Sequence, residues 1–238
     1  NNFGLFSYLK KFSSFLFKNN DLVLISLLKK YSIKILSHYK PIKGFKNICW
    51  FPDFQHVHLP DNFSKKEINY RNKLYNNYLK NSDIFLVSSK NSKKHLIKFS
   101  KKKKNIKVLN FVPHIDFSLL RKKRPYHKKY ILTPNQFWIH KNHKVIIESY
   151  KILKSQGYKI KYFLTGSNYD HRNPLHFKSI MKKIEDYKLK KFVLYKGVLN
   201  YKNLINLIFH SEIIVNPSYF EGWSTVVEEA KILNKKII

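Results

Sequence analysis

The sequence predicts an α/β protein whose sheets are parallel and covered by helices on both faces. Between residues 130 and 238, short apolar runs alternate with longer amphipathic segments. The predicted strands cover 130–133, 160–165, 192–196 and 213–216 and resume at 236, and the predicted helices cover 142–155, 176–189, 200–211 and 225–233. This alternation is typical of a parallel sheet, because each crossover between parallel strands needs a connection about as long as a helix. Gly166 and Gly197 mark the ends of two of these strands.

The first half of the chain shows a looser form of the same alternation. Predicted strands cover 47–51, 84–88 and 106–111, and predicted helices cover 64–81 and 89–99. Ser64 and Glu67 have the spacing of a capping box, in which each side chain accepts a hydrogen bond from the other residue's backbone N–H. The segment 51–60 lies between two prolines and is predicted to be a loop.

We expect two domains and an internal fragment of a longer protein. A basic, proline-bearing stretch at 113–129 separates the halves, so the predicted domains are 1–120 and 121–238. The sequence begins with Asn rather than Met and ends where a strand is starting. Both domains are therefore expected to be incomplete.

The beginning of the chain is apolar and basic. Over 3–36, Leu5, Leu9, Phe12 and Leu16 recur at helical spacing. Two interpretations stay open: a helix packed on a sheet, or a helix lying on a membrane surface with its lysines at the rim. No segment approaches the roughly 18–20 apolar residues that span a bilayer.

The composition is strongly basic. The formal net charge is +33, and only four of the 47 basic residues are arginine. Such an excess favours a nucleic-acid or anionic-membrane partner. Compositional bias is favoured as the main cause, because the abundant Lys, Asn, Ile, Tyr and Phe all have AT-rich codons, and it is compatible with attraction to a membrane. The lysines are spread along the chain without a basic–aromatic recognition motif, so nucleic acid is not the expected partner.

Polar loops follow the strands of the second half. They contain Asn135, Gln136 and Lys141 after the first strand, Gly166 and Arg172 after the second, and Glu221, Gly222, Trp223, Ser224 and Thr225 after the fourth. Because ligands of parallel sheets bind at the carboxyl ends of the strands, we expect these loops to share one rim and to form the binding site.

The last of these loops is the most informative. Glu221 and Glu229 lie eight positions apart, and Thr225 and Glu228 have capping-box spacing at the start of the next helix. A helix N-terminus suits a phosphate, Gly222 lets a ligand approach the backbone, and the two carboxylates suit sugar hydroxyls. The alternative is that Glu228 and Glu229 only interact favourably with the helix dipole.

One segment strongly resembles the two-glutamate motif of the family-four glycosyltransferases: residues 220–230, FEGWSTVVEEA, preceded by NPS at 216–218. Members have the GT-B fold, with two Rossmann-like domains, and the motif holds a nucleotide-sugar donor in the C-terminal one. The resemblance implies that Glu221 binds donor-sugar hydroxyls and Glu229 the nucleotide ribose. It also implies that amides near Gly222–Thr225 meet the diphosphate.

Two departures from the family pattern concern charge and catalysis. The family's Arg and Lys, which neutralise the leaving diphosphate, correspond to Gln136 and Lys141 here. Lys141 is therefore expected to act alone or with help from His140, His143 or Arg172. In the first half the family's reactive histidine position holds Pro52. His56 is then either the catalytic substitute or a histidine that packs the loop.

The resemblance implies transfer of a hexose-type sugar, with retention, from a nucleoside diphosphate sugar to a hydroxyl of a glycan or lipid-linked acceptor. It implies no cofactor and no metal. A cell-surface product, a cytoplasmic location and peripheral contact with an anionic inner membrane face are further expectations. Alternatives are a nucleic-acid-binding protein, an inactive membrane-associated scaffold of the same fold, and a sugar-nucleotide epimerase.

Overall fold

The computed structural model describes residues 22–37, 41–101, 105–122, 126 and 129–238. By contacts, the chain divides into two compact units. The first contains the residues up to Phe54 and Asn69–Leu109, and the second contains Gln55–Ile68 and Asn110–Ile238. The predicted domain limits, 1–120 and 121–238, stay a prediction.

Strands and helices alternate regularly in the second half of the described chain and less regularly in the first half. Those of the first half are α1 Leu22–Lys30, β1 Ile35–Ser37, β2 Lys46–Phe51, α2 Gln55–His58, α3 Lys65–Asn81, β3 Ile84–Val87, α4 Lys90–Ser100 and β4 Ile106–Val108. Those of the second half are β5 Tyr130–Pro134, α5 His143–Ser155, β6 Lys161–Thr165, α6 His176–Asp186, β7 Val193–Tyr195, α7 Tyr201–His210, β8 Ile213–Ile214, α8 Thr225–Ile232 and β9 Lys236–Ile237. Short 3-10 turns cover Pro60–Asn62, Phe117–Leu119 and Ile139–Lys141.

The first unit contains a parallel sheet in the order β1-β2-β3-β4. Its core is aromatic, because Phe51 on β2 is fully buried and its ring contacts those of Phe54, Tyr75, Tyr78 and Phe85. Three of these contacts are edge-to-face, the arrangement that aromatic pairs prefer. Burial of these rings holds β2 and β3 against the helices.

The predicted capping box at the start of α3 is confirmed. The Ser64 backbone N–H donates to Glu67 Oε2 at 3.0 Å, and the Glu67 N–H donates to Ser64 Oγ at 3.2 Å. The bond from the Ser64 backbone is the main reason that the Glu67 pKa lies below its usual range. These bonds satisfy two N–H groups that the first turn of a helix leaves unpaired.

The second unit contains a parallel sheet in the order β7-β6-β5-β8-β9. The chain runs outward from β5 through β6 to β7, then returns to the other side of β5 to form β8 and β9. This reversal makes the carboxyl ends of β5 and β8 a topological switch point, where sheets of this kind bind ligands. One buried cluster forms around Leu132 and Ile214, and a second forms around Ile147 and Leu164.

Several predicted boundaries differ from the structure. The strands predicted at 106–111 and 213–216 end earlier, at Val108 and Ile214. The apolar residues that indicated a helix near the start of the chain lie outside the described residues: Leu5, Leu9, Phe12 and Leu16. The prediction of a helix over 3–36 was wrong at its end, because β1 begins at Ile35 and pairs with β2. A short helix, α2, replaces part of the predicted loop at 51–60. Helix α6 ends at Asp186 rather than at 189, and Lys188 beyond it has a left-handed φ of 52°.

None of the described helices is both long and apolar enough to cross a bilayer.

Candidate functional site

The loops after β5 and β8 are joined by hydrogen bonds at the switch point. The Asn135 side-chain amide donates to Asn216 Oδ1 at 2.9 Å, and the Asn142 amide donates to the Pro217 carbonyl at 3.2 Å. The Tyr219 backbone N–H donates to the His140 carbonyl at 2.9 Å. The expected common rim is therefore present for these two loops.

The loop after β6 joins the same rim through a close backbone approach. The Phe137 N–H donates to the Ser167 carbonyl at 2.8 Å. Gly166 has a φ of +132°, and a Cβ at this position would lie 2.4 Å from the Asn135 carbonyl oxygen. Only glycine fits there, because such a φ strains other residues and the contact leaves no room for a side chain.

Lys141 and Glu221 form an ion pair across the switch point. Lys141 Nζ lies 2.5 Å from Glu221 Oε1, although the two residues are 80 positions apart in sequence. Both side chains are partly buried, at 18% and 26% exposure. The sequence analysis identified both residues as candidates for the binding site. They meet at the switch point, where parallel sheets bind ligands.

The N-terminus of α8 lies beside this pair in the same loop. Ser224, rather than Thr225, is the N-cap, and its hydroxyl accepts the Val227 N–H. The predicted capping box of Thr225 and Glu228 was therefore wrong by one position. Ser224 has the β conformation of an N-cap, and Glu228 instead binds Lys231 at 2.8 Å.

Two further residues of the motif have partners within the protein. The Trp223 indole N–H donates to the Phe111 carbonyl at 2.8 Å. Glu229 is buried, and this burial raises the pKa of its carboxyl group. The nearby phenol of Tyr201 partly offsets this rise in pKa, while its hydroxyl donates to the His114 carbonyl at 3.3 Å. Sequence reasoning missed Tyr201.

Two histidines of the loop after β5 are buried and neutral at physiological pH. Burial, followed by the nearby Lys141 charge, lowers the pKa of His140 to about 4. Burial, followed by nearby His176, lowers the pKa of His143 to about 3, and His143 stacks on Phe137 with ring centroids 4.0 Å apart. A neutral imidazole can donate a hydrogen bond to a phosphate, but it brings no positive charge.

The remaining predicted residues divide between surface and interior. The Gln136 side chain is exposed. His56 is fully buried in α2, with its ring 6.3 Å from that of Phe63. Arg172 is almost fully buried and is stacked between Phe63 and Trp138. No sequence signal could have linked Arg172 to Phe63, since more than a hundred residues separate them.

A cavity of about 480 Å³ borders the loop that carries Lys141. Leu59, Pro60, Ile139 and Ile180 give it apolar walls, and polar groups come from Asp61, Asn142, Lys144, His176 and Tyr219 among others. Within the described ranges, no three His, Cys, Asp or Glu side chains are grouped so that they could hold a metal ion.

The fold and the converging loops define an α/β protein with a ligand crevice at the topological switch point of its second sheet. Residues 116–238 match the family described as Glycosyl transferases group 1. This match covers just over half of the chain, and the chain belongs to that family. No curated protein sequence matches it significantly.

Solved structures confirm the GT-B fold. A glycosyltransferase from Rickettsia africae is 18% identical, with a TM-score of 0.68 over 91% of this chain and 60% of its own. HepE of Anabaena, solved with UDP and glucose, is 14% identical, with a TM-score of 0.65 over 81% of this chain and 52% of its own. TarM of S. aureus, solved with fondaparinux, α-GlcNAc-glycerol and UDP, is 18% identical, with a TM-score of 0.64 over 82% of this chain and 36% of its own. The chain thus spans between about a third and three fifths of these proteins.

Proposed function

We propose that the chain carries the donor site of a retaining glycosyltransferase, which moves a hexose from a nucleoside diphosphate sugar to a hydroxyl group. The observation that carries this proposal is the Lys141–Glu221 pair at the switch point, beside the N-terminus of α8. A lysine and a helix N-terminus suit a diphosphate, and a carboxylate suits the hydroxyls of the attached sugar.

In this proposal each charged group has a separate role. Lys141 stabilises the negative charge that develops on the diphosphate as the glycosidic bond breaks. Glu221 accepts hydrogen bonds from hydroxyls of the donor sugar, and Glu229 accepts them from the ribose. Since Asn135 and Gly166 fix the loops before the ligand arrives, these groups need little rearrangement during the reaction.

The acceptor is proposed to be a glycan or a lipid-linked glycan that enters by the 480 Å³ cavity. Apolar walls such as Leu59 suit the faces of a sugar ring, and Asp61 and Lys144 suit its hydroxyls. His56 on α2 is the candidate group near the reacting hydroxyl. A role in cell-surface polysaccharide or glycoconjugate synthesis follows as the proposed context, in keeping with the glycan ligands of TarM.

The protein is proposed to be cytoplasmic and to bind the inner face of the membrane peripherally. Its net charge of +33 favours anionic headgroups, each basic residue near the surface contributing about 1 kcal/mol. Co-sedimentation with vesicles containing phosphatidylglycerol should be strong and salt-sensitive, whereas neutral phosphatidylcholine vesicles should leave the protein in solution. Equal binding to both vesicle types would contradict this location.

The donor assignment is tested by calorimetric titration of the full-length protein with UDP and GDP. UDP comes first because HepE was solved with it. We expect micromolar binding of one nucleotide and weaker binding by Glu229→Gln. Glu228→Gln is the matched control, since Glu228 is the next residue on α8 and pairs with Lys231 instead.

The same titration separates the alternatives. Absence of nucleotide binding, together with tight and salt-sensitive binding of RNA, would replace the proposal with a nucleic-acid function driven by the +33 charge. Nucleotide binding without sugar transfer or donor hydrolysis would indicate the inactive scaffold. The retaining course is tested by NMR of the first product formed, in which the anomeric configuration of the donor must persist.

A further inference from the structure

Arg172 is stacked between two aromatic rings from distant parts of the second unit. Its guanidinium carbon lies 4.2 Å from the ring centroid of Phe63 and 4.8 Å from that of Trp138. Its side chain is only 8% exposed. Cation–π stacking of this kind is stronger when the guanidinium is removed from water.

The polar groups of Arg172 face the same segment as Phe63. Nη1 donates to the Gln55 side-chain carbonyl at 3.4 Å, and Nε lies 3.9 Å from Glu67 Oε1. The segment from Gln55 to Glu67 is thus contacted by the arginine near both ends and in the middle. His171, the neighbour of Arg172, adds a 3.6 Å contact to Glu67.

The backbone of Arg172 is fixed to the loop that carries Lys141. Asp170 is buried, and its Oδ1 accepts the Arg172 N–H at 3.0 Å, while its Oδ2 accepts the Ile139 N–H at 3.2 Å. Trp138, the second stacking ring, belongs to the same loop as Ile139. Arg172 therefore links the loop after β5 to the segment 55–67 through both its backbone and its side chain.

We propose that Arg172 is a positioning residue that anchors the segment 55–67, and with it His56, to the loop of Lys141. The ring of Phe63 stacks on Arg172 on one side and contacts the His56 ring at 6.3 Å. Arg172 is in this view no ligand of the diphosphate. This inference rests on the proposed function only for its kinetic consequence, because the anchoring itself is a property of the folded chain.

The test compares Arg172→Lys with Arg121→Lys in the full-length protein. Lysine keeps the charge but loses the planar fork and the stacking surface, and Arg121 is an exposed arginine of the same unit. Three quantities are measured: amide hydrogen exchange over 55–67, the dissociation constants of UDP and GDP, and the kcat and KM of donor hydrolysis or transfer.

In Arg172→Lys we expect the rate of amide exchange over 55–67 to rise by about tenfold or more. A tenfold rise corresponds to a free energy of local opening that is lower by about 1.4 kcal/mol. Nucleotide affinity should stay within about twofold, and kcat should fall by about tenfold or more with KM for the donor unchanged. Arg121→Lys should change none of these. Phe63→Leu removes the stacking ring from the other side and should give the same pattern, which guards against a folding defect specific to Arg172→Lys.

Two results would overturn the inference. One is weaker nucleotide binding by Arg172→Lys with unchanged exchange over 55–67, which would make the arginine a diphosphate ligand. The other is normal exchange in both Arg172→Lys and Phe63→Leu. If the unaltered protein binds neither nucleotide, the proposed function fails, and the exchange measurement alone still decides whether Arg172 anchors the segment.

Discussion

The Lys141–Glu221 pair predicts that removing either partner changes nucleotide affinity in opposite directions. A nucleoside diphosphate must compete with Glu221 for Lys141, because the carboxylate at 2.5 Å already takes one of the three ammonium N–H donors and offsets its charge. Glu221→Gln should therefore bind UDP or GDP more tightly than the unaltered protein. Lys141→Met should bind it more weakly, because the cation that meets the diphosphate is gone.

The size of each change follows from the exposure of the pair. Exposed ion pairs contribute about 0.2–1 kcal/mol, and this one, at 18% and 26% side-chain exposure, belongs near the upper end. Relief of about 1 kcal/mol corresponds to about fivefold tighter binding in Glu221→Gln. Loss of a hydrogen bond to a charged group costs about 1.5–3 kcal/mol, so Lys141→Met should bind roughly ten- to a hundredfold more weakly.

Isothermal titration at low and high salt measures both effects. The gain in Glu221→Gln should shrink at high salt, because it is electrostatic. Glu228→Gln, which breaks the neighbouring 2.8 Å pair with Lys231, should leave affinity unchanged. If Glu221→Gln weakened nucleotide binding as much as Lys141→Met, then Glu221 would support the nucleotide site instead of competing for its lysine, and the reasoning would fail.

Three further predictions concern stability and chemistry. Gly166→Ala should destabilise the protein by about 2–4 kcal/mol in urea denaturation, since the new Cβ would lie 2.4 Å from a carbonyl oxygen. Gly157→Ala is the control and should cost about 1 kcal/mol, because Gly157 also has a positive φ but has open space around it. Equal losses in the two variants would exclude the clash as the cause. The free energy of unfolding should fall by a few kcal/mol in all as the pH drops from about 6.5 to about 3. Over this range the histidines of the unfolded chain are protonated, whereas folded His140 stays neutral down to about pH 4 and folded His143 down to about pH 3. The urea midpoint should depend less on pH in His143→Leu, and an unchanged dependence would mean that this histidine is not held neutral. Donor turnover should survive EDTA if Lys141 and the N-terminus of α8 hold the diphosphate, and loss restored by Mg²⁺ would contradict that arrangement.

Most of the second sheet could be predicted because its signals are local. The apolar run ending at Thr133 and the strand stop at Gly166 each lie within a few residues of the feature they predict. The site followed from the same information, since the ends of β5 and β8 have to converge once the sheet is parallel. The sequence alone therefore predicted that Lys141 and Glu221 lie at the same rim of the sheet, although it did not predict their contact.

The features that sequence reasoning missed depend on contacts between distant residues. Tyr201 lies at the start of α7, and only the folded chain brings its phenol close enough to Glu229 to affect the pKa of that carboxyl group. Arg172 was assigned to the diphosphate by its charge and its place after β6. In the structure its charge meets Glu67, and its flat surfaces meet Phe63 and Trp138. Charge and loop position predicted a ligand role, whereas the stacking partners could be found only in the fold.

The lack of charge at Gln136 affects how the site distinguishes a nucleotide sugar, the proposed donor, from the nucleotide released after transfer. Gln136 brings no charge, His140 is neutral, and Arg172 is held by its stack, so among these residues the diphosphate depends on Lys141. A nucleotide alone competes with Glu221 for this lysine and weakens their ion pair, which costs free energy. A nucleotide sugar supplies hydroxyls to Glu221 at the same time, so the complete donor should bind more tightly than the nucleotide released after transfer. Glu221→Gln should reduce or reverse that preference, because the amide loses less when it is left unpaired.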